Sequence, residues 1–450
     1  MTEDGRGVDG PSIAAGNADV AMGRTWFGLP RGLVVIFLTE TWEKFSYYGM
    51  RAMLVYYMTR QLLMPQQQAS LVYGTYTAFV YFTPILGGTI ADRWLGKHKA
   101  VIVGASLMAF GHFMMTFESL FHVALGAIAL GNGFFLPSLP SQIKGLFAPG
   151  DPRLGSAFNV YYVGINVGGF LAPLVCGTIG ELYGWHYGFA LAGVGMLIGL
   201  AIYIGGSGYL PRETPRTAAS AGASLSSFSG TGFVLAGVMG VVILFRGAYE
   251  QIGNTVALWA AEGIDRTTSA GLSIPMTWFQ SLNSLFVFTL TPFVVAWWLR
   301  QAKASREPSA VVKMATGAVI VAVAYLLLAA VSAYAGLEGG RAGWLWLVLF
   351  FVVLTTGELY ILPVGLGLFS RLAPPGYGAT AIAAWYLAAF GGNLLAGAIG
   401  SRWSQLSHPV FFMAVAALAG AAASLLLLLN GAALRAEAHA AALLRSDRIR

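Results

Sequence analysis

Four charged side chains crowd twelve residues near the start of the chain: Glu40, Glu43, Lys44 and Arg51, in the run Glu40-Thr41-Trp42-Glu43-Lys44-Phe45-Ser46-Tyr47-Tyr48-Gly49-Met50-Arg51. On a helix, positions 40, 43/44, 47 and 51 return to the same side. That face carries two carboxylates, an ammonium, a phenol and a guanidinium. Carboxylates next to an ammonium can take up and release a proton, and a guanidinium is a fork for a carboxylate. The plainer alternative is an i,i+4 pair of Glu40 with Lys44 that only fixes packing, worth about 0.2–0.5 kcal/mol on an exposed helix. Four charges exceed what packing needs and suit a cavity that handles protons and a zwitterion.

Two further groups lie far along the chain. Arg246, Tyr249, Glu250 and Gln251 fall within a few residues, and Glu358 stands in an apolar run with no charged neighbour within a turn. Arg246 and Glu250 are four apart, so mutual neutralisation remains open for them. Glu358 needs a partner on another helix or a polar cavity.

The elements that hold these groups are dictated by composition. Of 450 residues, 57% are hydrophobic and 10% charged, with 58 glycines. The mean hydropathy is +0.68. So much apolar surface exceeds what one water-soluble core hides, and lipid must be the solvent for most of it. Small residues then serve close helix packing.

A spanning helix needs about 20 apolar residues, and twelve such segments are expected at 32–59, 68–91, 99–117, 120–144, 156–179, 186–210, 231–260, 272–299, 310–335, 342–370, 377–400 and 409–434. A polar stretch at 211–230 divides them six and six. The expected fold class is therefore an all-α polytopic membrane protein with two six-helix bundles, at 31–210 and 231–435. Residues 1–30 are expected to form a cytoplasmic leader and 436–450 a cytoplasmic tail. With both termini in the cytoplasm, the inner loops carry Arg93, Lys97, Lys99, Arg153, Arg212, Arg216, Arg300, Lys303, Arg306 and Arg371. The outer loops and their flanks carry only Arg60, Arg266, Arg341 and Arg402, an asymmetry that orients the chain in a cell membrane.

Other classes find little support. The net charge of +7 is placed as topology determinants rather than as a nucleic-acid surface, and the lone Cys176 excludes an intrachain disulfide. No His-Glu-x-x-His or phosphate-binding Gly-x-x-x-x-Gly-Lys appears, and His112 and His122 stand apart. The expectation is no enzyme, no metal and no cofactor beyond a coupling proton. Unlike charges on helix 1 suit a closed binding site better than the single-sign ring of a channel.

The helix 1 run resembles the signature of the proton-coupled oligopeptide transporter family of the major facilitator superfamily. Val80-Tyr81 before Leu86-Gly87-Gly88-Thr89-Ile90-Ala91-Asp92-Arg93 is similar to that family's helix 2. The loop Asp92-Arg93-Trp94-Leu95-Gly96-Lys97 is similar to the superfamily's Asp-Arg-x-Gly-basic turn, which implies a gating or compensating role for Asp92 and Arg93. Phe158, Tyr161-Tyr162-Val163-Gly164-Ile165-Asn166-Val167-Gly168-Gly169, Tyr249-Glu250-Gln251, Phe279-Gln280-Ser281-Leu282-Asn283, Glu358 with Pro363-Val364-Gly365-Leu366, and Trp385-Tyr386-Leu387 resemble its helices 5, 7, 8, 10 and 11. The likeness spans roughly residues 30 to 400.

The resemblance implies a major facilitator fold of twelve helices and proton-driven symport of di- and tripeptides by alternating access, by a monomer. It implies that Glu40, Glu43, Lys44 and Glu250 couple protons. It implies that Arg51 meets the peptide carboxylate and pairs with Glu250. Asn166, Asn283 and Glu358 would receive the ammonium, with Tyr47, Tyr48, Tyr81 and Trp385 lining the site. A related member that carries a non-peptide substrate, or that exports, is the alternative.

Three features depart from the family pattern. Where the family has a lysine before a helix 4 proline, this chain reads Phe134-Phe135-Leu136-Pro137, so one cation serves two carboxylates on helix 1. Arg246 stands where the family has an apolar or aromatic residue. We expect it to face the cavity as a compensating charge, shared between Glu250 and the helix 1 cluster as the transporter changes state, unless it only pairs with Glu250 or snorkels to an interface. The 211–230 linker is also too short for two extra helices.

Overall fold

The computed structural model describes residues 25–26, 28–148, 151–211, 231–337, 340–373 and 378–449. Most of the expected leader and nearly all of the 211–230 linker lie outside these residues. Twelve long helices run through them: α1 Arg31–Tyr56, α2 Gln66–Ile90, α3 Lys97–Met114, α4 Phe121–Ser141, α5 Leu154–Ala172, α6 Trp185–Gly205, α7 Thr231–Tyr249, α8 Trp278–Lys303, α9 Ala310–Leu337, α10 Trp344–Leu372, α11 Gly378–Gly400 and α12 His408–Ile449. Among the described residues nine helices, α4 to α12, are long and apolar enough to cross a membrane. The other three carry the polar load: the charges of α1, Gln66-Gln67-Gln68 in α2 and Lys97-His98-Lys99 in α3.

Several element bounds differ from expectation for local reasons. α7 does not run unbroken to 260. It gives way to a tight turn at Glu250–Gly253, Asn254 leaves helical geometry, and a separate helix resumes at Thr255–Glu262. α8 starts at Trp278 rather than 272, because Pro275 lacks an N–H and precedes its first turn. α12 continues past 434 through a run rich in alanine, leucine and arginine, all strong helix formers.

α1 to α6 pack among themselves, as do α7 to α12. The halves meet chiefly where α2 lies along α11 and α5 along α8. Advancing each helix by six exchanges these two pairs, so the interface has an internal two-fold relation. Pro84 in α2 and Pro292 in α8, the weak repeat in the sequence, are counterparts under it. At the α2–α11 crossing, a Cβ on Gly74 would fall on the backbone of Gly397. Only glycine permits that approach.

The two ends of the bundle differ. We call the end where α1 begins and α12 finishes the terminal end, and the other the far end. At the far end the halves are tied by hydrogen bonds. Tyr56 donates to the Ala257 carbonyl at 2.8 Å, Gln66 to that of Gly400 at 2.8 Å and Gln280 to that of Ala52 at 3.2 Å. Ser70 donates to Asn254 at 2.8 Å. Glu181 accepts from the Met276 and Thr277 amides at 3.0 and 2.8 Å and from the Thr277 hydroxyl at 2.7 Å. Toward the terminal end α8 stays against α9 and α10, with Trp298 edge-on to Tyr360 at 5.2 Å and under Lys313 at 4.6 Å, while Phe293 and Trp297 are exposed on its outer face.

Candidate functional site

Between the halves lies a cavity of about 680 Å³. Its wall runs from Arg51, Ile252 and Gln280, beneath the far-end closure, to Gly367 and Ser370 near the terminal end of α10. Tyr48, Arg51, Tyr81, Asn166, Arg246, Glu250, Asn283, Glu358 and Trp385 all line it. Those residues come from α1, α2, α5, α7, α8, α10 and α11, so both halves contribute.

At the cationic pole two guanidiniums share one carboxylate. A terminal nitrogen of Arg51 lies 2.5 Å from one oxygen of Glu250, and Arg246 donates to the other at 2.8 Å. Glu250 is buried, at the point where α7 breaks. Arg51 also donates through Nε to the Tyr73 hydroxyl at 2.8 Å, and its guanidinium sits 5.7 Å from that ring. Arg246 lies over the Tyr81 ring at 5.1 Å.

The anionic pole is Glu358, which receives the Asn283 amide at 2.6 Å, while the same amide reaches Thr355 at 3.2 Å. The partner that Glu358 required is thus on another helix. Asn166 turns its amide nitrogen onto the Tyr162 carbonyl at 3.0 Å, one turn back on α5. Trp385 stands edge-on to Phe369 with centroids 5.4 Å apart.

Behind this wall, and not lining the cavity, sits the α1 cluster. Glu40 and Glu43 are fully buried. The Lys44 ammonium is 2.7 Å from Glu43 and 3.4 Å from Glu40. Gly168 of α5 packs against the backbone and Lys44 of α1 without room for a Cβ, which brings Tyr161 to face Glu40. One ammonium between two carboxylates leaves one negative charge, which a single proton balances.

Some expectations are corrected by the geometry. Tyr47 does not line the cavity. It is buried, edge-on to Tyr48 at 5.2 Å and 6.0 Å from the Lys44 ammonium. Arg246 faces the cavity, but its ion pair is with Glu250. Lys44 is the cation at Glu40 and Glu43, as expected, and Arg246 does not share with them in this conformation. Asp92 and Arg93, expected as gating or compensating charges, are exposed in the turn after α2 and do not line the cavity. In line with the missing helix 4 lysine, Leu136 stands half-buried at that place, and Lys144, further along, is exposed rather than at the cluster. The sequence reading missed Tyr73, whose phenol has no motif to mark it, and the Glu181 tie to the start of α8.

The POT family model matches residues 98–224 and 233–411. It begins after α1, so the match does not depend on the charged run at 40–51. A di-/tripeptide transporter of Lactococcus lactis subsp. cremoris is 32% identical over 440 residues, covering 81% of this chain and 88% of that protein. A peptide transporter of Yersinia enterocolitica subsp. palearctica is 31% identical over 461 residues, covering 84% and 89%. Among solved structures, a peptide transporter POT in complex with sulfate is 28% identical with a TM-score of 0.85, over 94% of this chain and 98% of that one. A mutant POT in complex with alafosfalin gives 28% and 0.84 over the same shares.

Proposed function

Since this chain belongs to the POT family, a family of transporters with the major facilitator fold, we propose that it is a secondary active transporter coupling proton entry to uptake of di- and tripeptides. The observation that carries this reading is the pair of opposed poles on one cavity wall, Arg51 with Arg246 and Glu250 at one and Glu358 with Asn283 at the other. A peptide backbone is a dipole with fixed end charges. Opposed cation and carboxylate can hold it whatever its side chains, while Tyr48, Tyr81 and Trp385 give apolar area that tolerates variety.

The terminal end faces the cytoplasm, a placement supported by Arg93, Lys97, Lys99, Arg153, Arg300, Lys303, Arg306 and Arg371 at that end. The conformation is then closed outside and open inside. Alternating access consists of breaking the far-end ties, Arg51–Glu250 included, and bringing the two halves together at the other end, with α2–α11 and α5–α8 as the seams about which they rock. The proton is the coupling ion, and Glu40 and Glu43, sharing one ammonium, are the groups that carry it. Reconstituted protein should accumulate a labelled dipeptide only with an inward proton gradient. Failure to take up any di- or tripeptide under a gradient would refute the proposal.

A further inference from the structure

Glu250 is asked to balance two cations at once. Arg51 takes the shorter contact, at 2.5 Å against 2.8 Å for Arg246, and is held a second time by Tyr73. Arg246 gives one terminal nitrogen to Glu250 and rests on the Tyr81 face, while its Nε is buried without a partner. The closed Arg51–Glu250 pair would be neutral by itself. Arg246 adds one positive charge to it, at the wall of the cavity and opposite Glu358. The Arg246 Nε is closed off from the cavity, so Arg246 lines it through the rest of its guanidinium. Helix position alone does not dictate the arrangement. Gly392 of α11 meets the Arg246 Cβ with no side chain between them, so the backbone makes room for the arginine at this place.

We propose that Arg246 is a second carboxylate anchor, which holds the substrate's terminal carboxylate while Arg51 remains bound to Glu250. Arg51 can therefore close the far end without first giving up a bound ligand, because the ligand's carboxylate has another guanidinium to occupy. The zwitterion then spans Arg246 and Glu358 in the conformation described above. This deepens the peptide reading and rests on it.

The test compares binding of alanyl-alanine and its C-terminal amide to purified full-length protein in lipid nanodiscs. Wild type should bind the free acid at least about tenfold more tightly than the amide, the range expected of a charge-assisted contact. Arg246→Gln should lose about tenfold in affinity for the acid and little for the amide, so that the preference collapses. Arg246→Met, chosen for its similar length, should behave alike if Arg246→Gln does not fold, and Arg246→Lys should restore part of the preference. A purely structural role would weaken acid and amide equally and leave their ratio intact, and that result overturns the assignment. Wild type that binds neither compound would instead overturn the peptide reading, and the assignment with it.

Discussion

Arg51 commits Nε to Tyr73 on the next helix and a terminal nitrogen to Glu250 in the other half. Breaking one side of such a buried pair leaves an uncompensated charge, at a cost of about 3–5 kcal/mol. Arg51→Ala should therefore abolish peptide uptake and shift the protein away from the far-end-closed form. Glu358→Ala removes the anionic pole and leaves the Asn283 amide without its closest acceptor. Its dipeptide affinity should fall at least about a hundredfold while the folded fraction in detergent stays unchanged. Undiminished binding by isothermal calorimetry in the Glu358 variant would contradict the role given to it. In the α1 cluster, Glu40→Gln and Glu43→Gln each replace a proton-accepting oxygen by an amide that cannot carry the ion. Each variant should exchange labelled for unlabelled peptide across a vesicle membrane yet fail to concentrate it. Concentrative uptake in both would place proton coupling elsewhere.

Helix existence was legible because a run of about 20 apolar residues has few other fates, and the shared face of residues 40 to 51 was legible because helical spacing is a local property. What joins one helix to another was not. Tyr73 and Arg51 are 22 residues apart and Arg51 and Glu250 are 199 apart. No periodicity connects such positions. The break after α7 escaped for a different reason, since its sequence stays apolar on either side and hydropathy cannot sense a backbone turn. Arg246 was placed correctly at the cavity and at Glu250, while its expected share with the helix 1 carboxylates is not made in this conformation. Its reach is set by the α7–α11 packing, which directs it to Glu250 and Tyr81. The α2–α11 crossing supplies a prediction at this scale. Gly74→Val would drive a branched side chain into Gly397, and overpacking of this kind costs about 1–3 kcal/mol. Transport should drop severely with wild-type helix content by circular dichroism, and Gly126→Val, at an open site, should be tolerated. Equal activity of the two variants would show that the close approach does not matter.

Across the whole molecule, the far-end closure is distributed over many contacts rather than carried by one pair. Glu181 receives three hydrogen bonds from the segment that starts α8, and it belongs to the other half. Glu181→Ala should loosen that end. Spin labels at the positions of Leu63 and Arg402, one on each half and both exposed, should report a longer mean separation in the variant by pulsed electron resonance. An unchanged distance distribution would mean that Glu181 only orders its loop. The distributed closure also bears on how strongly a ligand is seen to bind from each side. In the proposed cycle, several hydrogen bonds at about 0.5–1.5 kcal/mol each must be broken to open the far end, and where the closing of the other end returns less, the far-open state is a minority, on the order of 1% of molecules. A ligand arriving from that side meets a receptive cavity only in that fraction, and its apparent dissociation constant is raised by about a hundredfold over that of the cavity itself. From the terminal side the cavity already stands open. Vesicles that differ only in the orientation of the protein should therefore give unequal half-saturation concentrations for the same peptide.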